Sequence, residues 1–406
     1  MKQSRKIFTI IIAISASQVF AQPNLSTQEI IQKSIEKSSL VKAEFFALEQ
    51  SRHQQRGVSS GHNPYFELGP GVGFTNGNSI LSQEFDLFGK RKSESNAALA
   101  QTIVFESRIL AVRLEVGANA LSKVSELLLA TEIVANAEQH LQSATSILRA
   151  VQKRVGIGEA PKVQETRAEI EALRAEQMVK ESRAELAARQ AEINSMIGQP
   201  SESPLVVSDW ISSTNAESGR TSPVPRQRIA EAELESARSQ VQAAKTLGKP
   251  TFSAGIASDF WSLDRPESRN QSIGLQFLLR APLGDRGENS YAVRAAESNV
   301  ARYQEFLKDA NRLAELERDT AAKALSSAKS VSNSFEAGIL PKAQEMLVSM
   351  RQGYETGLIS LLEVLEAQQT LQRLRRESAD ASHKLRLAET RYLKATGLLP
   401  GIEAKN

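Results

Sequence analysis

The chain has 406 residues and no cysteine, which excludes disulfides, thiolate nucleophiles, zinc–thiolate sites and an N-terminal lipidated cysteine. Its formal charge of +3 resides in Lys2, Arg5 and Lys6; without residues 1–21, 47 basic side chains balance 47 acidic ones. A neutral chain carries no electrostatic footprint for nucleic acid, and none is expected as a partner. His53, His62, His140 and His383 are scattered without ligand spacing and read as surface residues, so neither a metal site nor a cofactor is expected.

Residues 1–21 combine a basic start, the apolar run 7–16 and the small-residue end Val19-Phe20-Ala21, the pattern of a secretory signal peptide cut after Ala21. No later apolar run reaches the ~20 residues a transmembrane helix needs. Residues 25–56 read as one helix, capped by Ser26 or Thr27 with Glu29 in the first turn. Its apolar face would be Ile30, Ile31, Ile35, Val41, Phe45 and Leu48, and Gly57 to Pro64 would break it.

A β-hairpin is expected over 65–87. Phe66, Leu68, Val72 and Phe74 alternate with Glu67 and glycines, Thr75-Asn76-Gly77-Asn78 supplies the turn, and Leu81, Phe85 and Leu87 return on the same face. Each strand has about the length that crosses a bilayer when tilted. Residues 89–154 then read as one helix without proline, with Ile103, Leu110, Leu114, Leu121, Val124 and Leu128 as its seam. At ~1.5 Å per residue it extends roughly 100 Å, which suits a helical tube rather than a globular core. Gly156 to Pro161 forms a turn, and a return helix ends at Gly198.

The order then repeats. Residues 22–198 form a first unit with its helical hairpin at 89–197; residues 199–225, rich in Ser, Pro and Asn, read as a linker; residues 226–400 form a second unit, and 401–406 a tail. The second unit has a helix from 226, a β-hairpin over 251–279 and a helical hairpin over 285–396. Trp261 fits an interfacial aromatic anchor. Gly338 and Pro341 should kink the incoming helix. The hairpin tip, 354–368, breaks at Gly353 and Gly357 and restarts with Leu358, Leu361, Leu362 and Leu365 as a stripe. Shifted by 199, Gly158 falls on Gly357 and Gly198 on Gly397. Glu363 and Glu366, three residues apart, share one helix face.

The fold class is therefore mainly α with a small β part: long antiparallel helical hairpins plus two β-hairpins that give four strands. Four strands cannot close a barrel, and open edges are not tolerated in lipid. Two protomers would give eight strands, nearly filled by side chains; three would give twelve and leave a passage.

The chain resembles the TolC-like outer-membrane factor family over its mature length. The carriers are the duplication, the QEFDLFGKRK stretch at 83–92, the GILP kink at 338–341, the tip from Tyr354 through Gly357 to Glu363-Val364-Leu365-Glu366-Ala367, and LKATG at 393–397. The Gly-Lys-Arg exit from the second strand is similar to the heavy-metal efflux subgroup. The resemblance implies a homotrimer with a twelve-stranded β-barrel in outer-membrane lipid and a long periplasmic α-barrel. It implies a passive exit duct of a tripartite efflux system, docked through a periplasmic adaptor (a membrane fusion protein) to an inner-membrane pump, for which the resistance-nodulation-division type is a candidate. It assigns acidic rings at the periplasmic mouth to Glu363 and Glu366 and the residue that holds the mouth shut to Tyr354. Glutamate stands here where the best-known member has aspartate. Gly156, Ile157, Gly158, Glu159, Gly357, Leu358 and Ile359 are the candidates for adaptor contact. The alternatives are a duct for type I protein secretion and a secreted coiled-coil scaffold without a pore; no catalytic set stands out, and an enzyme is not expected.

Overall fold

In the computed structural model, residues 24–69, 77–211, 223–260 and 272–399 are described. The expected leader, the end of the first strand with its Thr75-Asn76 turn, Trp261 and its loop, part of the 199–225 segment and the tail lie outside them.

The N-terminal helix is two helices. α1 (Thr27–Lys37) starts in a capping box, with Ser26 accepting from the Glu29 N–H and Glu29 accepting from the Ser26 N–H. It ends at Ser38, whose ψ of 123° is not helical and whose Oγ caps α2 (Ser39–Ser59) by accepting from the Val41 N–H. A serine hydroxyl competes for backbone donors, so paired serines support a stop and a restart where apolar spacing alone suggests continuity. α2 runs through Gly57, and Phe45 is exposed, while Ile30, Ile31, Val41 and Leu48 are buried.

Two long helical hairpins dominate the molecule. α3 (Lys90–Gly156) is continuous over 67 residues, and α4 (Lys162–Ile197) returns beside it. Leu114, Leu121 and Val124 of the expected seam are buried, with Ala118 and Ala120 between them; Ile103 is exposed. α5 (Pro225–Ala244) packs on α3, and α6 (Glu288–Ser334) packs on α5 and α8. α6 passes through a π-helical turn, Phe335–Ile339, into α7 (Leu340–Glu355). Pro341 has no N–H and would collide with a carbonyl four residues back; the extra residue of the π-turn, in which the Leu340 N–H bonds the Phe335 carbonyl, absorbs that conflict as a kink. α8 (Leu361–Thr396) completes the second hairpin.

The tips and the ends of the two helical hairpins repeat at an offset of 199 residues. At the first tip the Gly158 N–H bonds the Val155 carbonyl and the Glu159 N–H bonds that of Arg154; at the second, Gly357 bonds Tyr354 and Leu358 bonds Gly353. Both hairpins end in the same six-residue stop, Gly198 and Gln199 on Ser195 and Asn194, Gly397 and Leu398 on Lys394 and Leu393.

The segment after α4 is more than a linker. β1 (Asn24–Leu25) pairs in parallel with β4 (Val206–Val207), Leu205 is buried beside Ile193, and the Trp210 Nε1–H donates to Glu389 Oε2 at 2.6 Å. It ties the chain's start to α8 and closes the core between the two hairpins.

β2 (Tyr65–Gly69), β3 (Gly77–Phe85), β5 (Thr251–Phe260) and β6 (Ser272–Arg280) form one antiparallel sheet in the order β2-β3-β5-β6. Leu87 lies beyond the end of β3. The register lines up Phe66, Leu81, Ile256 and Leu275 in one row across all four strands, and Phe85, Phe252 and Leu279 in another. The opposite face carries rows such as Tyr65-Ser82-Gly255-Gln276 and Glu67-Ile80-Ala257-Gly274. The apolar face is uncovered by the rest of the chain: Ile273 and Leu275 are 78% and 76% exposed.

Candidate functional site

The two hairpin tips come together at the end of the molecule remote from the sheet. Beneath them, Val151 of α3, Leu347 and Tyr354 of α7, and Leu361, Val364 and Leu371 of α8 form one buried cluster. Tyr354 is only 3% exposed although it lies one residue from the end of its helix. Its hydroxyl donates to Gln164 Oε1 of α4 at 3.2 Å. Arg154, at the last turn of α3, donates from Nη1 to the Tyr354 carbonyl at 2.8 Å, and its guanidinium lies 4.8 Å from the tyrosine ring centroid. The Arg154 Nε is 3.5 Å from Glu159. Burial pushes the Tyr354 phenol above its ordinary range, against the opposing pull of Arg154, so it is a neutral donor.

The second tip is closed by local chemistry. Ser360 caps α8, accepting from the Glu363 N–H at 3.3 Å, while Glu363 Oε2 accepts from the Ser360 N–H at 2.8 Å and from its hydroxyl at 2.8 Å. These bonds to Ser360 hold the Glu363 carboxyl below its ordinary value. Within one chain Glu363 is thus a capping carboxylate. Glu366 is exposed on the same side of α8.

The cap also sets the phase of the helix. Leu361, Val364, Gln368 and Leu371 face the core, and Leu365 is half-buried. Leu358 and Leu362, expected on that stripe, point to solvent; Leu358 is 85% exposed. Gly156, Ile157, Gly158, Glu159 and Gly357 are exposed. Ile359 is different. It packs on the tip cluster, and its Cγ1 lies 2.6 Å from where a Cβ on Gly353 would be, so its side chain fills the space that glycine leaves.

The structure therefore brings Tyr354 and Ile359 into one interlock with Arg154 and Gln164, and leaves Glu363, Glu366, Ile157, Glu159 and Leu358 on its outside. Arg154 and Gln164 are not legible as site residues from their spacing. Among the described residues no three or more His, Asp or Glu side chains gather as a metal site. His140 is not the surface residue expected. It is 4% exposed, with Nδ1 3.2 Å from Gln368 Nε2 and Nε2 3.6 Å from Glu171 Oε1.

Residues 32–199 and 225–398 both match the family described as outer membrane efflux protein. The chain is 24% identical over 297 residues to the cobalt-zinc-cadmium resistance protein CzcC of Cupriavidus metallidurans, covering 70% of this chain and 68% of that protein. Its fold matches the crystal structure of CusC with a TM-score of 0.73, at 18% identity, over 92% of both chains. It matches the outer membrane protein VceC of Vibrio cholerae with a TM-score of 0.72, at 16% identity, over 91% of this chain and 96% of that one.

Proposed function

The chain belongs to the outer membrane efflux protein family, and from that premise we propose that it is the passive exit duct of a tripartite export system, assembled from three copies. The observation that carries this reading is the four-stranded sheet. One face carries rows of apolar side chains interrupted by Ser79, Gln83 and Ser258, the other is rich in glycine and polar side chains, and β2 and β6 leave both edges unpaired among the described residues. Unpaired edges are costly in hydrocarbon, and three copies joined β6 to β2 satisfy every edge in a twelve-stranded barrel wide enough for passage.

In this reading the helical hairpins line up side by side as a periplasmic tube, and residues 22–198 and 226–400 act as two copies of one building unit. Tyr354 and Arg154 hold the mouth narrow. Glu363 and Glu366, brought near the axis three times over, make an acidic constriction that favours cations. Ile157, Glu159 and Leu358, with the glycine turns at 156, 158 and 357, offer the outward surface for the periplasmic adaptor, which connects to the inner-membrane pump; Ile359 supports that surface from beneath. The likeness to a cobalt-zinc-cadmium resistance protein makes divalent metal cations the first cargo to test.

Reconstitution of the purified protein in a planar bilayer tests the duct. Discrete cation-preferring conductance steps are expected, and the Glu363→Gln/Glu366→Gln double variant should lose the preference. A protein that never inserts, or a variant with unchanged preference, contradicts the duct and the constriction respectively.

A further inference from the structure

In the lower part of the helical hairpins, above the tip, a cavity of about 500 Å³ opens between α3, α7 and α8. Its wall carries Arg351, Arg375 and His140 but no carboxylate. Glu171 lies beyond the imidazole, on its far side, and does not line the space. Arg351 donates from Nη2 to Ser146 Oγ at 2.7 Å and has no ion pair among the described residues. Arg375 has neither a hydrogen bond nor an ion pair among them. Two further polar atoms on this wall, Ser143 Oγ and Gln368 Oε1, lack a protein partner, and the Gln368 side chain is almost wholly buried, at 2% exposure.

Two guanidinium groups facing one space without a counter-charge are unusual. The many ion pairs elsewhere on these helices, such as Arg189 with Glu126, Glu185 and Glu192, show that the chain pairs its arginines where a carboxylate is near. Burial alone pushes the Arg375 guanidinium down from its ordinary value, with no neighbouring carboxylate to oppose it. A desolvated cation costs free energy until an opposite charge joins it. Guanidinium forks fit oxyanions in bidentate fashion.

We propose that this cavity binds a small oxyanion of the phosphate or carboxylate class, held by Arg351 of α7 and Arg375 of α8 against the α3 wall formed by His140, Ser143 and Ser146. Ser143 is a hydroxyl free to donate to it, and Gln368 Oε1 accepts from a water or from a protonated oxygen of the anion. An anion that reaches both arginines ties α7 to α8 above the tip, so its presence stiffens the tip interlock. The site is independent of whether the protein conducts.

The test is thermal unfolding and isothermal titration calorimetry of the full-length, detergent-solubilised protein with potassium phosphate and, in a separate arm, citrate, at constant ionic strength. Saturable binding of at least one anion with a rise in unfolding temperature is expected. Arg375→Gln and Arg351→Gln should each weaken it about tenfold or more, the scale of one charge-assisted hydrogen bond. Arg376→Gln, an exposed neighbour, should leave it unchanged. A response to phosphate alone identifies a tetrahedral ligand, and a response to citrate alone a polycarboxylate. Should Arg375→Gln fail to fold, Arg351→Gln decides. No saturable response in the wild-type protein, or an equal response in the two cavity variants, overturns the site.

Discussion

Arg154 and Tyr354 join the two halves of the chain at their tips, the guanidinium donating to the tyrosine carbonyl at 2.8 Å while lying 4.8 Å from the centroid of its ring. One cation thus serves a backbone acceptor left open at a helix end and the face of an aromatic ring. Arg154→Ala removes both contacts. The amides of 355–359 should then exchange with solvent about tenfold or more faster, since one charged hydrogen bond alone is worth about 1.5–3 kcal/mol. Bilayer conductance should rise several-fold. Tyr354→Phe, which loses only the bond to Gln164, should have the smaller effect in both measurements.

The turn glycines at the two tips give a matched pair of substitutions. Gly158 and Gly357 have φ of +79° and +80°, a region that costs other residues about 1–2 kcal/mol. A Cβ on Gly158 meets nothing within 4 Å, and one on Gly357 meets only Arg154 Nη2, at 3.7 Å. Gly158→Ala and Gly357→Ala should therefore each lower tip stability by about that backbone cost and by similar amounts, read from exchange of the same amides. A negligible loss at both sites would mean that the turns relax without penalty.

Stability should fall below neutral pH through His140. Burial lowers its folded-state value beneath the ordinary 6.5, against the favourable pull of Glu171 and with the help of Arg375. The groups that face it are Glu171 from α4, Gln368 and Arg375 from α8, and Arg351 across the cavity. A base whose folded value is depressed binds fewer protons in the folded state, so stability is full above about pH 6.5 and declines as pH falls towards the folded value. His383, lowered by burial and by Arg386, acts in the same sense. Unfolding temperatures measured from pH 7.5 to pH 5 should drop, and His140→Gln should flatten part of that slope.

The two faces of the sheet should tolerate charge differently. Ile256 lies in the row with Phe66, Leu81 and Leu275, and Gly274 lies on the opposite face with open space around it. A lysine facing lipid near the bilayer midplane costs about 2–4 kcal/mol, and one facing water very little. Ile256→Lys should sharply reduce assembled protein in the outer-membrane fraction, while Gly274→Lys should not. Equal yields would place the apolar rows away from lipid.

Much of this fold is legible in the residues because its signals are local. Strand alternation, the glycines at 158, 198, 357 and 397, and the Gly338–Pro341 pair act on their own backbone, and each stands where its chemistry requires. The missed features depend on competition or on distance. The break at Ser38 follows from a hydroxyl winning over apolar spacing, and the outward turn of Leu358 and Leu362 from the phase that Ser360 imposes on α8. The pairing of Val206–Val207 with Asn24–Leu25 joins segments about 180 residues apart, too short to announce themselves as strands. The Arg154–Tyr354 contact spans 200 residues and exists only once the two hairpins dock. The burial of His140 likewise needs three helices, α3, α4 and α8, to be placed first.

The central claim is that the four-stranded sheet becomes a closed wall only when it is shared among copies of the chain. Native mass measurement of the protein extracted from outer membranes in mild detergent tests this most directly. Three chains in one heat-sensitive assembly are predicted; a stable single chain, released without detergent, would contradict it.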